Sequence, residues 1–359
     1  MANGTIYQKI VAYLKKAIEN GELKIGDAIY SENLLCEKFN VSRTSVRKAI
    51  RQMIDENLLV SRQGVGTFVK SNGHGILYNA VCMVNHYSRI LRYDISDTYY
   101  MDMVYGVEEE INRRNMNFQM FSNLLRNEED IQEKMAHVKV DGIIVDGVYQ
   151  NSGQIDFFRK LTPHIVLLDG NPGESDVPVV AVDSEPAFVQ LLTAAAGRGG
   201  ATIYLYEDNS ARTRCRLNAF RKAVKKTGAK QVVYANYAEN ITPDNFHNID
   251  HYYLICHALE KALNTAGNCR TLIADSDHAA VKALNFLKHK GVSVPEDIAL
   301  SGFGGMNFST MVEPHLTTVF IDPRQMAAAA AEFLLDHING DSSEMQKMVP
   351  GRLLRRTSF

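Results

Sequence analysis

The chain has 359 residues, 45% hydrophobic and 22% charged, a globular composition that excludes a fibrous or largely disordered protein and leaves room for two or three cored domains. No apolar run reaches the roughly 20 residues of a membrane span, Met1 to Gly26 has no secretory pattern, and five scattered cysteines form no C-x-x-C pair, so a cytoplasmic chain without disulfide framework or zinc site is expected. The net charge of -2 hides an asymmetry: eleven Lys and Arg face seven Asp and Glu up to Lys70, against 28 and 34 beyond it, so a small basic head is joined to a larger acidic body.

From Ile6 to Ile18, the apolar residues Ile6, Ile10, Val11, Leu14, Ala17 and Ile18 recur at three- and four-residue steps, which predicts a helix with one buried stripe. Gly21 and Gly26 end it. Ser31 is placed to cap a second short helix whose Leu34, Leu35 and Phe39 face inward, and Asn40 marks the turn after it. Ser42 is placed to cap a third, with Val46, Ala49, Ile50, Met53 and Ile54 inward and Arg43, Thr44, Arg47, Lys48 and Arg51 outward. Two β-type runs, Leu58 to Arg62 and Thr67 to Lys70, flank Gln63-Gly64-Val65-Gly66, whose glycines permit a tight hairpin, or wing. Alone, the arginines fit a solvated helix face. Beside a wing, they fit DNA, because a helix enters the major groove, where arginine donates two bonds to guanine, while a hairpin reaches backbone or minor groove.

The runs Gly21-Glu-Leu-Lys-Ile-Gly-Asp, Ser31-Glu-Asn-Leu, Phe39-Asn-Val-Ser-Arg-Thr-Ser-Val-Arg-Lys-Ala-Ile and Arg62-Gln-Gly-Val-Gly-Thr-Phe-Val resemble the DNA-binding domain of the GntR family. The resemblance implies operator contacts from Arg43, Thr44 and Arg47 and from the glycine turn of the wing. The expected DNA-contacting set is Ser31, Glu32, Ser42, Arg43, Thr44, Arg47, Gln63, Gly64 and Gly66, with Lys48 and Arg51 left to backbone or solvent. Tyr30 departs from the pattern, which has proline before the Ser-Glu pair.

Ser71 to Gly75 is small, polar and glycine-containing, so domains are expected at 1–70 and 76–359 with a linker at 71–75. Beyond it, strand patterns at Leu77 to Val84, Phe118 to Phe121, Gly142 to Val145, Ile165 to Leu168 and Val179 to Val182 accompany helices at Asp102 to Arg114 and Glu128 to His137. The alternation restarts with strands Thr202 to Tyr206, Gln231 to Tyr234, Thr271 to Ala274 and Ile298 to Gly302. Helices Pro186 to Ala196, Cys215 to Lys226, Asp250 to Ala266 and Asp277 to Lys290 separate them. An α/β body of two doubly wound parallel sheets follows, with its ligand expected in the cleft at the carboxyl ends of the strands.

The stretches Leu272-Ile-Ala-Asp-Ser-Asp-His-Ala-Ala, Gly291-Val-Ser-Val-Pro-Glu-Asp-Ile-Ala-Leu-Ser-Gly-Phe and Pro314-His-Leu-Thr-Thr-Val, with the Met326 to Ile338 helix, resemble the LacI-type, periplasmic-binding-protein-like core. A GntR-like head on such a body resembles regulators of the arabinose-repressor type. The resemblance implies that Arg216 and Asp277 hold effector hydroxyls, and the chemistry suits a polyol, since a guanidinium only donates and a carboxylate only accepts. A helix cap for Asp277 and an interdomain ion pair for Arg216 are the alternatives. Asp183 near the cleft and Tyr99 and Tyr100 against a sugar face complete the expected effector set, with structural roles open for each. Gly304 stands where the family has aspartate after Gly-Phe, and Ala219 replaces a glycine before Phe220.

His247, His251 and His257 do not share one helical face, Gly302-Phe-Gly-Gly lacks nucleotide-loop spacing, and Ser301 and Ser309 lack an esterase elbow, so neither metal nor cofactor is expected. The reading is a DNA-binding transcriptional regulator, a repressor released from double-stranded operator DNA by a monosaccharide or phosphosugar. The alternatives are a small-molecule-binding enzyme with a fused DNA-binding head and a sugar receptor, which the wing and the missing signal peptide oppose. A homodimer is expected, because one head buries too little surface for regulatory affinity and no apolar heptad follows Pro350.

Overall fold

Three amphipathic helices close on one another at the N-terminus: α1 (Ile6–Glu19), α2 (Glu32–Phe39) and α3 (Arg43–Asp55). Ile10, Leu14, Leu35, Val46, Ala49 and Met53 are fully buried between them, each large side chain contributing about 1.5 to 3 kcal/mol. Antiparallel strands β1 (Leu59–Arg62) and β2 (Gly66–Val69) form the wing, in the register Leu59 opposite Val69 and Arg62 opposite Gly66. Leu34 corrects the predicted stripe. It is 47% exposed, because α2 turns Leu35 and Phe39, four residues apart, toward the core and leaves Leu34 about 100° away.

The computed structural model describes residues 6–20, 22–24, 26–56, 58–62, 65–70, 80–85, 99–122, 135, 138–147, 150, 153–239 and 251–359. The predicted linker at 71–75 lies outside them, as does nearly all of the helix predicted over Glu128 to His137. Two compact units form, one of Met1–Ala80, Lys139–Asp141 and Leu335–Ser343, the other of Val81–Val138, Gly142–Leu334 and Glu344–Phe359. Among the described residues no helix is long and apolar enough to cross a membrane.

The body has two six-stranded sheets. The first runs β13-β7-β6-β5-β3-β4, built from β3 (Ala80–Asn85), β4 (Asn117–Ser122), β5 (Gly142–Asp146), β6 (Ile165–Leu168), β7 (Val179–Asp183) and β13 (Gln346–Pro350). The second runs β14-β12-β11-β10-β8-β9, from β8 (Ala201–Tyr206), β9 (Val232–Asn236), β10 (Cys269–Ala274), β11 (Ala299–Gly304), β12 (Thr317–Phe320) and β14 (Arg352–Leu354). Every residue of β5, β6 and β11 is buried, as parallel strands covered on both faces must be. Only β14 pairs antiparallel in the second sheet.

The helices of the body are α4 (Tyr99–Arg113), α5 (Gln154–Leu161), α6 (Glu185–Arg198), α7 (Ala211–Thr227), α8 (His251–Ala266), α9 (Asp277–His289) and α10 (Pro323–Asn339). The sequence pattern assigns neither α5 nor strands β12, β13 and β14. The chain passes between the lobes after β7, again between β12 and β13, and a third time at Gly351, where the backbone turns from β13 into β14. Gly106 on α4 lets α10 approach closely, since a Cβ there would lie 2.3 Å from the Arg324 carbonyl oxygen.

Candidate functional site

The head presents a graded surface. Ser31 caps α2 by accepting from the Leu34 amide at 3.2 Å, so α2 starts as predicted although Tyr30 replaces the expected proline. Tyr30 instead stacks on Tyr13 and donates to Glu22 Oε1 at 2.7 Å. Ser42 occupies the N-cap position of α3 without a side-chain cap bond, a correction to its predicted role. Its hydroxyl lies 3.3 Å from that of Ser45. Arg43, Thr44 and Arg47 are exposed on the first turns of α3. Arg43 donates to Asn33 Oδ1 at 3.0 Å, and Arg47 Nε reaches both Glu32 oxygens at 3.1 and 3.0 Å. Glu32 thus holds Arg47 in place, and its carboxylate is spoken for by that guanidinium. Lys48 packs over the Tyr7 ring at 4.4 Å. Gly66 is exposed at the wing with φ +144°, while Gln63 and Gly64 lie outside the described residues.

In the body, the carboxyl ends of strands from both sheets carry acids. Asp146 ends β5, Asp169 follows β6, Glu207 follows β8 and Asp275 follows β10. Helix α7 supplies the facing cations. Its Ser210 cap, completed by Thr213, starts the helix just after β8 and sets Arg212 and Arg216 one turn apart on the same face. Arg212 Nη2 donates to Asp146 Oδ1 at 2.6 Å, and its Nε lies 2.6 Å from Asp169 Oδ2. Arg216 Nη2 is 3.6 Å from the same Asp169 oxygen, its Nη1 donates to the Asp275 carbonyl at 3.0 Å, and its guanidinium lies 4.3 Å over the Phe303 ring. Arg214 adds a bidentate pair to Glu174, with bonds of 2.7 and 3.0 Å. All three arginines therefore cross from the second lobe to the first.

Asp275 accepts from the Glu207 amide at 2.8 Å and from the Tyr237 hydroxyl at 3.2 Å. Burial, with the Glu207 charge beside it, pushes its carboxyl up to about 7, while those bonds and Arg216 pull the other way. Its pKa is higher in the folded than in the unfolded chain. It therefore contributes stability that is present below its ordinary value near 3.8 and is lost as pH rises through about 7. Asp277, raised by burial to about 6, acts in the same direction. Asp275→Asn is expected to flatten the fall of Tm between pH 4.5 and 7.5, read by calorimetry at constant ionic strength; an unchanged slope would rule this out.

Asp277, like Asp275, is bonded within the body on both carboxylate oxygens. It is fully buried, with Oδ1 accepting from the Thr318 hydroxyl at 2.6 Å and Oδ2 from the Met306 amide at 2.7 Å. Both oxygens tie α9 to the ends of β11 and β12. It does not cap α9, because Ser276 does, accepting from the Ala279 amide at 3.3 Å. Arg216 reaches an acid across the cleft, as its ion-pair reading has it. Asp183 ends β7 with its carbonyl accepting from Gly351 at 2.9 Å, and among the described residues its carboxylate makes no ion pair. Tyr99 is buried and Tyr100 half-buried, edge to face at 5.6 Å.

Tyr99 also lines a cavity of about 250 Å³ with Asp102 of α4, the Gly304–Asn307 turn and the Phe320–Arg324 segment. Gly304 (φ +124°) and Gly305 (φ +73°) shape its wall, and a Cβ on Gly305 would come 2.4 Å from the Phe320 ring. Ala219 is accommodated half-buried in α7 beside the buried Phe220. Sequence reasoning missed Arg212, Asp146, Asp169 and Asp275. Their signals were present: an arginine one turn before Arg216, and acids directly after predicted strands.

The Periplasmic binding protein-like domain family matches residues 176–359, half of the chain. The chain belongs to that family. Its head matches the gntR family of bacterial regulatory proteins over residues 6–69. The arabinose metabolism transcriptional repressor of Geobacillus stearothermophilus is 24% identical over 347 residues, covering 89% of this chain and 88% of that protein. Among solved structures, the transcriptional regulator CelR in complex with cellobiose is similar with TM-score 0.63 and 19% identity, covering 99% of this chain and all of that one. A LacI family regulator from Arthrobacter sp. FB24 in complex with lactose has TM-score 0.57 and 22% identity over 78% of this chain and 98% of its own. The fold shared with these structures is the two-lobed α/β body, and with its gntR-type head this chain is a DNA-binding transcriptional regulator.

Proposed function

We propose that this regulator is a cytoplasmic repressor whose homodimer grips a palindromic operator through α3 and the wing, and is released when a small sugar or sugar derivative binds between the lobes. The observation that carries it is the cleft floor, where Arg216 and the acids at the strand ends offer donors and acceptors side by side within one compact unit. Arg43, Thr44, Arg47 and the wing are assigned to DNA, with Glu32 orienting Arg47. Arg216 and Tyr99 are assigned to effector, with Asp275 and Asp277, each bonded on both oxygens, holding the strand ends in place. The head is assigned to residues 1–70, joined by 71–75 to a body at 76–359. Relatives described as an arabinose repressor and as a cellobiose complex support the sugar reading.

A thermal-shift screen of monosaccharides and disaccharides tests this. At a hundredfold excess over Kd, binding adds about 2.7 kcal/mol, which moves the melting temperature by several degrees. The same sugar should release operator duplex in fluorescence anisotropy, and Arg216→Ala should lose both responses. If no sugar shifts the transition, the carbohydrate reading falls. A monomer by sedimentation at working concentration would remove the paired-head mechanism.

A further inference from the structure

Neighbouring residues on the first turn of α2 each grip one arginine of α3. Glu32 takes Arg47, and Asn33 takes Arg43, whose Nη2 donates to the side-chain amide oxygen at 3.0 Å. Arg43 opens α3 and Arg47 follows one turn later, so both project from the same face of that helix. The two grips differ in charge: Arg47 is paired with a carboxylate, Arg43 with a neutral amide. Arg43 also stands at the positive end of the α3 dipole, an unfavourable place for a cation, and the Ser42 side chain makes no cap bond there. Asn33 and Arg43 are both exposed, and a bond between exposed groups adds little to stability. Its consequence is the direction in which the guanidinium points. Asn33 takes one of the five N–H donors of Arg43, so the fork still has a pair to give to a base edge.

We propose, resting on the assignment of Arg43 to DNA, that Asn33 is a positioning residue for operator recognition: it sets the direction of the Arg43 guanidinium without lending it a counter-charge, and it acts on sequence preference only through that side chain. Helix α2 then contributes to readout without touching a base. A long, rotamer-rich side chain that is ordered before binding has less freedom to lose when it meets its base pair. An acid at position 33 would accept the same bond, but it would set a second carboxylate beside Glu32 on the surface that meets the phosphates. The amide holds the arginine without that repulsion.

The experiment uses the full chain with an operator selected from a random duplex pool and the single-base-pair variants of that operator, read by fluorescence anisotropy. Asn33→Ala is expected to lower discrimination about two- to tenfold, the effect of ordering one side chain only on binding, at the same base pair as Arg43→Ala. Its melting temperature should not fall, because alanine is the better helix former. Asn33→Ala added to Arg43→Ala should change nothing further, as expected of a residue that acts through its partner. Asn33→Asp keeps the acceptor, so it should keep the preference while weakening every duplex alike. An effect of Asn33→Ala at a different base pair, or one that persists beside Arg43→Ala, would show Asn33 reading DNA by itself and overturns the inference. So does an Asn33→Ala protein with its preference intact, or an Asn33→Asp protein that loses preference as the alanine variant does. If Arg43→Ala itself leaves the preference unchanged, the assignment of Arg43 to DNA falls and the inference with it.

Discussion

Replacing Arg212 with methionine is expected to destabilise the body by about 3 to 5 kcal/mol, the cost of removing one partner from a buried ion pair. Arg212 is 11% exposed, and its partners Asp146 and Asp169 are 2% and 5% exposed, so solvent screening gives little relief. Without the guanidinium the two carboxylates are left buried with their principal cation gone. Adding Asp146→Asn and Asp169→Asn to Arg212→Met should therefore recover part of the loss, since replacing a whole buried ionic group is often near neutral while breaking it is not. Urea unfolding followed by circular dichroism reads both variants. A loss below about 1 kcal/mol for Arg212→Met, the range of surface pairs, would show that the cross-lobe pair carries no weight.

The second large effect is expected at the head. Arg43→Ala and Arg47→Ala should each weaken binding to an operator selected from a random duplex pool by about 1 to 3 kcal/mol, with sequence preference relaxed at one base pair each. Both side chains are exposed and so is their loss to the fold small, which separates this outcome from unfolding. Lys48→Ala, whose ammonium lies over Tyr7, should weaken all duplexes alike and lower the salt slope. If Arg43→Ala and Arg47→Ala lower affinity uniformly across sequences, these arginines hold phosphate and the specificity lies elsewhere on the head.

The head was the most legible part of the chain because its signals are local. Periodicity gave the three stripes, Ser31 gave the α2 cap and Gly66 gave the hairpin, each needing only neighbours within a few residues. Leu34 and Ser42 mark the limit of that reasoning, since the face a short helix turns inward and the bond a cap forms depend on what packs against it. In the body, strand and helix alternation was readable, but β13 and β14 were not. Lys347 and Met348 look polar or isolated in sequence, and they become strand only because β7 offers a free edge beside them.

The winged helix-turn-helix, the charge asymmetry between head and body, and the α/β alternation were determined by the sequence itself, because composition and periodicity act over one or two turns. The tertiary structure decided which acids and arginines stand together. Asp277 and Asp275 are two residues apart and chemically identical, and both are buried with both oxygens bonded, yet one is held by Thr318 and Met306 at β11 and β12 and the other by Tyr237 and the Glu207 amide, with Arg216 on its backbone carbonyl. Only the placing of β10 against β11 and of α7 across from β5 and β6 distinguishes them, and that placing depends on packing between elements far apart in the chain.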